Sequence, residues 1–247
     1  MDREFLRTIR EAEVDSILQF IPRGSKVLEI GAGAGWQAQR LVSQGFDTTG
    51  IDIEQVSELS YNYEKERIYN VIIYDGHTIP FPDETFDVIF SSNVLEHIPH
   101  IREFQKEIRR VLKNSGTCIH LVPAPVWRFW SIITYYLVRF KNVFSKKSKK
   151  QSEWIATKKA PPLLKRLIIR RHGERGNVLL EFKLFRQNSW KSLFTETNWK
   201  IKSNFPGGLF LTGEMFLGKN LSVEARKKLS KYLGSYCHIF ILEKNHA

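Results

Sequence analysis

Cysteine is scarce in this chain: two of 247 residues, Cys118 and Cys237. Both fall in stretches that read as half-buried core strands. Two such thiols make no disulfide framework, and no metal-ligand spacing of Cys or His is visible. That scarcity fits a reducing cytosol rather than an oxidising compartment. Long apolar runs are missing too. The aromatic run Phe129 to Val138 is ten residues, half of the roughly 20 that a bilayer span needs, and Arg128 and Arg139 bracket it. The start, Met1-Asp2-Arg3-Glu4, is charged and lacks the apolar core of a signal peptide. The expected location is cytoplasmic, with peripheral contact at the inner face of a membrane as the further option. Acidic residues are sparse in one place only. Residues 123–187 hold 16 Lys/Arg against three acids (Glu153, Glu174 and Glu181), whereas the remainder holds 22 basic and 23 acidic residues. The net charge of +12 is therefore concentrated in one segment, which argues for a localised anionic partner rather than general basicity.

What is present is enough for a core. Apolar residues make up 42% of the chain, which suits one large domain, or one domain with a sizeable insertion. The chain is organised around Val27-Leu28-Glu29-Ile30-Gly31-Ala32-Gly33-Ala34-Gly35. Lys26 to Ile30 is apolar and β-branched and reads as a short buried strand. The glycines turn the chain, and Trp36 to Ser43 reads as the helix that follows. Free N–H groups at such a helix start point at a ligand in the turn. The spacing G-x-G-x-G is by itself also that of an ordinary tight strand-to-helix turn. Three later features strengthen it. Phe46 to Asp52 reads as a second strand ending in an acid, 17 residues past Gly35, near the spacing at which an acid accepts hydrogen bonds from a ribose. Val71 to Gly76 reads as a third strand with Asp75 at its end. Thr85 to Ser92 reads as a fourth.

Glu29-Ile30-Gly31-Ala32-Gly33-Ala34-Gly35, the Asp52 ending, Asp75-Gly76 and Phe86-Asp87-Val88-Ile89-Phe90-Ser91-Ser92-Asn93-Val94-Leu95-Glu96-His97-Ile98 together resemble class I S-adenosylmethionine-dependent methyltransferases, within them the small-molecule and lipid branch (methyltransferase type 11). The resemblance covers about residues 20–123. It implies a doubly wound, mostly parallel seven-stranded α/β sheet with S-adenosyl-L-methionine as cofactor. By resemblance, Glu29, Gly31, Ala32, Gly33 and Gly35 hold the methionine part. Asp52, with Ile53 beside it, takes the ribose hydroxyls. Asp75 and Gly76 meet the adenine, and Ser92 and Asn93 line the methionine side near the methyl group.

The remaining elements follow the same pattern. Asp2 to Phe20 reads as a helix, which in the resembled family packs beside the cofactor cradle. Glu54 to Lys65 is polar and tyrosine-rich without a clear period. Ile79-Pro80-Phe81-Pro82-Asp83 is a rigid loop that the resemblance places over the adenine side. His100 to Lys113 reads as an amphipathic helix stopped by Asn114-Ser115-Gly116. Thr117 to Val122 is the fifth strand. Ser189 to Thr197 reads as a helix, Trp199 to Asn204 as the sixth strand, residues 221–233 as another helix, and Tyr236 to Glu243 as a last strand, antiparallel by resemblance. Residues 123–187 are then a basic, aromatic-rich cap inserted after the fifth strand of a single domain, 1–247. Trp127 to Phe140 reads as an in-plane amphipathic helix with snorkelling arginines, beside the lysine run Lys146-Lys147-Ser148-Lys149-Lys150 that attracts anionic lipid. The alternative is a buried cap helix with a solvated lysine loop.

Two histidines are candidate bases for a hydroxyl acceptor: His97, which follows the fourth strand, and His172, in Arg171-His172-Gly173-Glu174-Arg175-Gly176. A structural cap for His97 and a plain surface loop for His172 are the competing readings. Arg170, Arg171 and Arg175 suit a phosphate or carboxylate clamp. The fourth strand ends in Ser91-Ser92-Asn93-Val94 rather than Asn/Asp-Pro-Pro-aromatic, which disfavours methylation of base amino groups. The expectation is O-methylation of a lipid, a lipid-linked saccharide or another anionic small molecule at a membrane surface. The alternatives are an RNA methyltransferase, because basic and aromatic residues together also suit a nucleic-acid backbone, and a non-catalytic binding protein that keeps the fold.

Overall fold

Val27, Leu28 and Ile30 are fully buried and set β1 (Lys26–Ile30) near the middle of a seven-stranded sheet. The computed structural model describes residues 3–54, 67–144, 169, 171–213 and 217–245. β1 pairs in parallel with β2 (Asp47–Ile53) on one side and β4 (Phe86–Ser92) on the other. β3 (Val71–Tyr74) lies outside β2, and β5 (Leu112–Pro123) outside β4, both parallel. β7 (Cys237–Lys244) inserts antiparallel between β5 and β6 (Trp199–Pro206). The order β3-β2-β1-β4-β5-β7-β6 reverses direction between β1 and β4. In such sheets that switch point opens a crevice at the carboxyl ends of the strands.

Side chains alternate across each strand, so each face of the sheet buries its own set. Leu28, Ile30, Phe86 and Ile89 pack with Phe104 and Ile108 of α3 (Ile101–Val111) and with Trp190 and Phe194 of α6 (Gln187–Glu196). Val27, Val88 and Phe90 face the other way, onto Phe5, Ile9, Val14 and Ile17 of α1 (Arg3–Ile17) and Leu41 of α2 (Trp36–Ser43). α4 (Pro125–Phe144) and α5 (Val178–Leu184) follow β5, and α7 (Val223–Leu233), capped by the Ser222 hydroxyl, precedes β7.

Several boundaries differ from the sequence reading. The first helix ends at Ile17 and tightens to a 3-10 turn over Leu18–Phe20. The third strand stops at Tyr74, and Asp75 turns the chain. Asn114-Ser115-Gly116 does not stop α3. Leu112 is already extended and pairs with Phe86, and the next register pair is Val88 with Thr117. The three residues thus bulge inside β5. The reason is local: the N–H groups of Glu84 and Thr85 donate to the Arg110 and Val111 carbonyls, which draws the helix end straight into the sheet. Cys118 and Cys237 are fully buried, not half-buried. Residues 55–65 of the tyrosine-rich stretch, the lysine run and most of the basic stretch up to Arg170 lie outside the described residues.

Candidate active site

The glycine turn is shaped by what stands against it. Gly31 has φ +76, and a Cβ there would lie 2.2 Å from Val94 Cγ2. Gly35, with φ +79, opens α2, and a Cβ there would lie 2.4 Å from Tyr69 Cβ. Both positions combine a left-handed backbone with no room for a side chain, so glycine is required. The N–H groups of Gly31 and Ala32 donate to the Ile51 carbonyl at 2.8 and 3.0 Å, which ties the turn to β2.

Asp52, at the end of β2, faces that turn. Its carboxylate accepts from Gly33 N–H at 2.6 Å and from Ile53 N–H at 2.7 Å. Burial raises its pKa, and the two N–H donors pull the other way. Asp75 is exposed and accepts from Thr78 and His77 N–H, both at 2.7 Å; these bonds lower its pKa. Beside it the His100 ring donates to the Gly76 carbonyl at 3.0 Å and stacks on His77 at 4.0 Å between centroids. The proline loop is held onto α3: Arg110 donates to the carbonyls of Ile79 and Phe81 at 2.9 and 2.8 Å.

Glu29 is fully buried at the foot of the turn, and its Oε2 has no hydrogen-bond partner. Burial pushes its pKa up to about 8. Beside it lies a buried polar network that the sequence did not disclose. Glu13 of α1 accepts from Arg10 (2.9 Å), from Gln37 of α2 (2.9 Å), from Ser92 Oγ (2.7 Å) and from the Tyr236 hydroxyl. Asn93, held at φ 54, donates to Ser92 Oγ at 3.0 Å and to Tyr236 at 3.4 Å. Ser92 and Asn93 therefore sit where the sequence reading puts them, at the end of β4, with their polar atoms engaged by this network. One signal for Glu13 was available: Ile9, Glu13 and Ile17 are four apart, which puts the acid on the buried face of α1.

The candidate bases come together. His97 ends the 3-10 turn Leu95–His97, and His172 arrives from the segment after β5. Their rings lie 4.8 Å apart, with Trp127 4.5 Å from His172. Among the arginines, Arg171 is exposed and paired with Glu174 at 2.8 Å. Arg175 lies over the Trp190 ring at 5.6 Å, and burial lowers its pKa against the nearby Glu96 charge. Arg170 lies outside the described residues. Arg128 does not snorkel. It is buried and pairs at 2.8 Å with buried Glu181.

Residues 28–120 match a family model described as a methyltransferase domain. The chain carries a class I methyltransferase domain. It is 35% identical over 102 residues to the sterol 24-C-methyltransferase of Gibberella zeae, across 39% of this chain and 27% of that protein. It is 32% identical over 105 residues to the 2-methyl-6-phytyl-1,4-hydroquinone methyltransferase of a Synechocystis strain, across 41% of this chain and 33% of that protein. The chain thus spans about a third or less of these two relatives. A SAM-dependent methyltransferase from Archaeoglobus fulgidus has the same fold, with a TM-score of 0.57 at 16% identity over 96% of this chain and 94% of that one. S-adenosylmethionine is the cofactor of such domains, and the residues present fit it. The left-handed glycines bend the chain tightly between β1 and α2, Asp52 presents a carboxylate at the turn, and Glu29 holds an unpartnered buried oxygen suited to an ammonium group.

Proposed function

We propose that this chain transfers the methyl group of S-adenosylmethionine to a hydroxyl of a lipid, a lipid-linked saccharide or another anionic small molecule met at a membrane surface. The observation that carries the reading is the glycine turn closed by Val94 and Tyr69, with the Asp52 carboxylate on the Gly33 N–H. In that arrangement Asp52 and Ile53 would receive the ribose, Asp75 and Gly76 the adenine, and Glu29 with Gly31, Ala32, Gly33 and Gly35 the methionine part. The bound cofactor supplies an electrophilic methyl on a sulfonium, and the protein contributes position and desolvation. Ser92 and Asn93, fixed by Glu13 and Tyr236, would form the wall at the methyl end. His97 or His172 would accept the proton of the acceptor hydroxyl.

Membrane presentation is supported by α4. Its buried side carries Arg128, Ser131 and Thr134, and its outer side carries Phe129, Leu137 and Phe140, which are 48%, 47% and 64% exposed. A helix that turns apolar residues outward beside a basic segment suits an anionic lipid surface. Among the described residues no helix is long and apolar enough to cross a membrane.

The test is methyl transfer from labelled cofactor to extracted anionic lipids in vesicles, run beside structured RNA. Label in the lipid fraction, falling with added salt, supports the reading. Label in RNA alone overturns it.

A further inference from the structure

Among the described residues, Glu96 is the carboxylate whose burial is least explained. It is 1% exposed, yet neither of its carboxylate oxygens has a hydrogen-bond partner. A buried carboxylate left without donors is costly unless a cation sits on it. Two imidazoles face the same oxygen. His97 Nε2 lies 3.8 Å and His172 Nε2 3.7 Å from Glu96 Oε1, and one donor atom from each of the three residues falls within 4.8 Å of the others. We infer that Glu96, His97 and His172 form a site for one divalent transition-metal ion.

The donor set decides the class of ion. Two imidazoles and one carboxylate suit Zn²⁺, Fe²⁺ or Co²⁺, whereas Mg²⁺ and Ca²⁺ take oxygen shells. Bonds of about 2.1 Å set neighbouring donors about 3–3.4 Å apart. The imidazoles must move inward by under about 1.5 Å to reach that spacing. They are free to do so, because the His97 and His172 side chains are 41% and 35% exposed. The carboxylate is the fixed ligand.

The site is also supported from outside. The His172 loop is pressed onto Glu96: Glu174 N–H donates to the Glu96 carbonyl at 3.0 Å, and a Cβ on Gly173 would lie 2.8 Å from that oxygen. The backbone N–H groups of His172 and Gly173 both donate to the Glu181 carboxylate, which Arg128 holds. A buried ion pair thus fixes the residue that closes the site. Three protein ligands leave coordination positions open, as catalytic sites do and structural ones do not. Glu96 follows Val94, which covers Gly31, by two residues, so the site borders the glycine turn. With metal bound, the open positions would take the acceptor's hydroxyl oxygen and lower its pKa, so that the proton passes to solvent while the imidazoles serve as ligands, in place of the base role of His97 or His172. That role rests on the proposed methyl transfer; metal binding does not.

The experiment is titration of chelator-treated full-length protein with Zn²⁺ and Co²⁺, with metal content after dialysis and the Co²⁺ visible spectrum as readouts. One equivalent should bind. Glu96→Gln, His97→Ala and His172→Ala should each weaken it by more than about tenfold, and Glu181→Gln by about 10–100-fold through the loop. Thermal melting of every variant shows that it folds. Equal retention by wild type and a folded His97→Ala/His172→Ala variant would overturn the site, as would no binding, which leaves Arg175 as the charge partner of Glu96. S-adenosylmethionine affinity measured on the same samples separates the claims. Cofactor binding without metal refutes the ion alone, and metal without cofactor binding refutes the methyltransferase reading alone.

Discussion

Glu29 couples the cradle to pH. Its pKa stands near 8 in the folded protein because burial strips water from the carboxylate, whereas the unfolded chain releases that proton near 4.5. Between those values the folded state binds more protons than the unfolded one, so this group's contribution to stability falls as pH rises through the window. Urea unfolding at several pH values should show that slope, and Glu29→Gln, which stays neutral, should flatten it. Gly31 makes a second residue-scale test. Gly31→Ala meets Val94 at 2.2 Å and keeps a left-handed φ, so S-adenosylmethionine affinity should fall at least about tenfold, or about 1.4 kcal/mol, within the range of such backbone strain. Adding Val94→Ala removes the clash and not the backbone strain, and should restore only part. Gly31 and Asp52 were legible in the sequence because a strand, a glycine turn and an acid lie within one local stretch. Glu13 with Tyr236 was not, since the two are 223 positions apart and only the sheet brings them together.

At the scale of elements, α1 and α4 do different work. α1 brings Glu13 onto α2, β4 and the residue before β7 at once. Glu13→Ala should destabilise the protein by about 3–5 kcal/mol, because the Arg10 charge and several donors lose their shared acceptor; chemical denaturation with and without cofactor checks it. α4 was half legible. Its aromatics and bracketing arginines suggested a surface helix, but periodicity does not reveal which arginine finds a buried acid 53 positions away. Arg128 turned inward onto Glu181, and Phe129, Leu137 and Phe140 turned outward. Replacing those three exposed residues by serine should change stability by no more than about 0.5 kcal/mol each and should abolish flotation with anionic vesicles. Undiminished flotation would remove the membrane argument.

For the whole molecule, the alternation of strands and helices forecast a parallel sheet, and the resemblance forecast its antiparallel last strand; the topology agrees on both counts. What patterning missed was the join of α3 to β5, where strand pairing between Phe86 and Leu112 overrides the turn propensity of Asn114-Ser115-Gly116. The carboxyl ends of β1, β2, β3 and β4 deliver Gly31, Asp52, Asp75 and Ser92 to one edge, and the segment after β5 delivers His172 beside His97, which follows β4. If this edge binds S-adenosylmethionine, calorimetric titration of wild type and Asp52→Ala will show it. Saturable one-to-one binding of S-adenosylmethionine and of its demethylated product is expected, weakened at least about tenfold in Asp52→Ala because a charged hydrogen-bond acceptor is lost. No binding by the folded wild type, or equal binding by the variant, would contradict it.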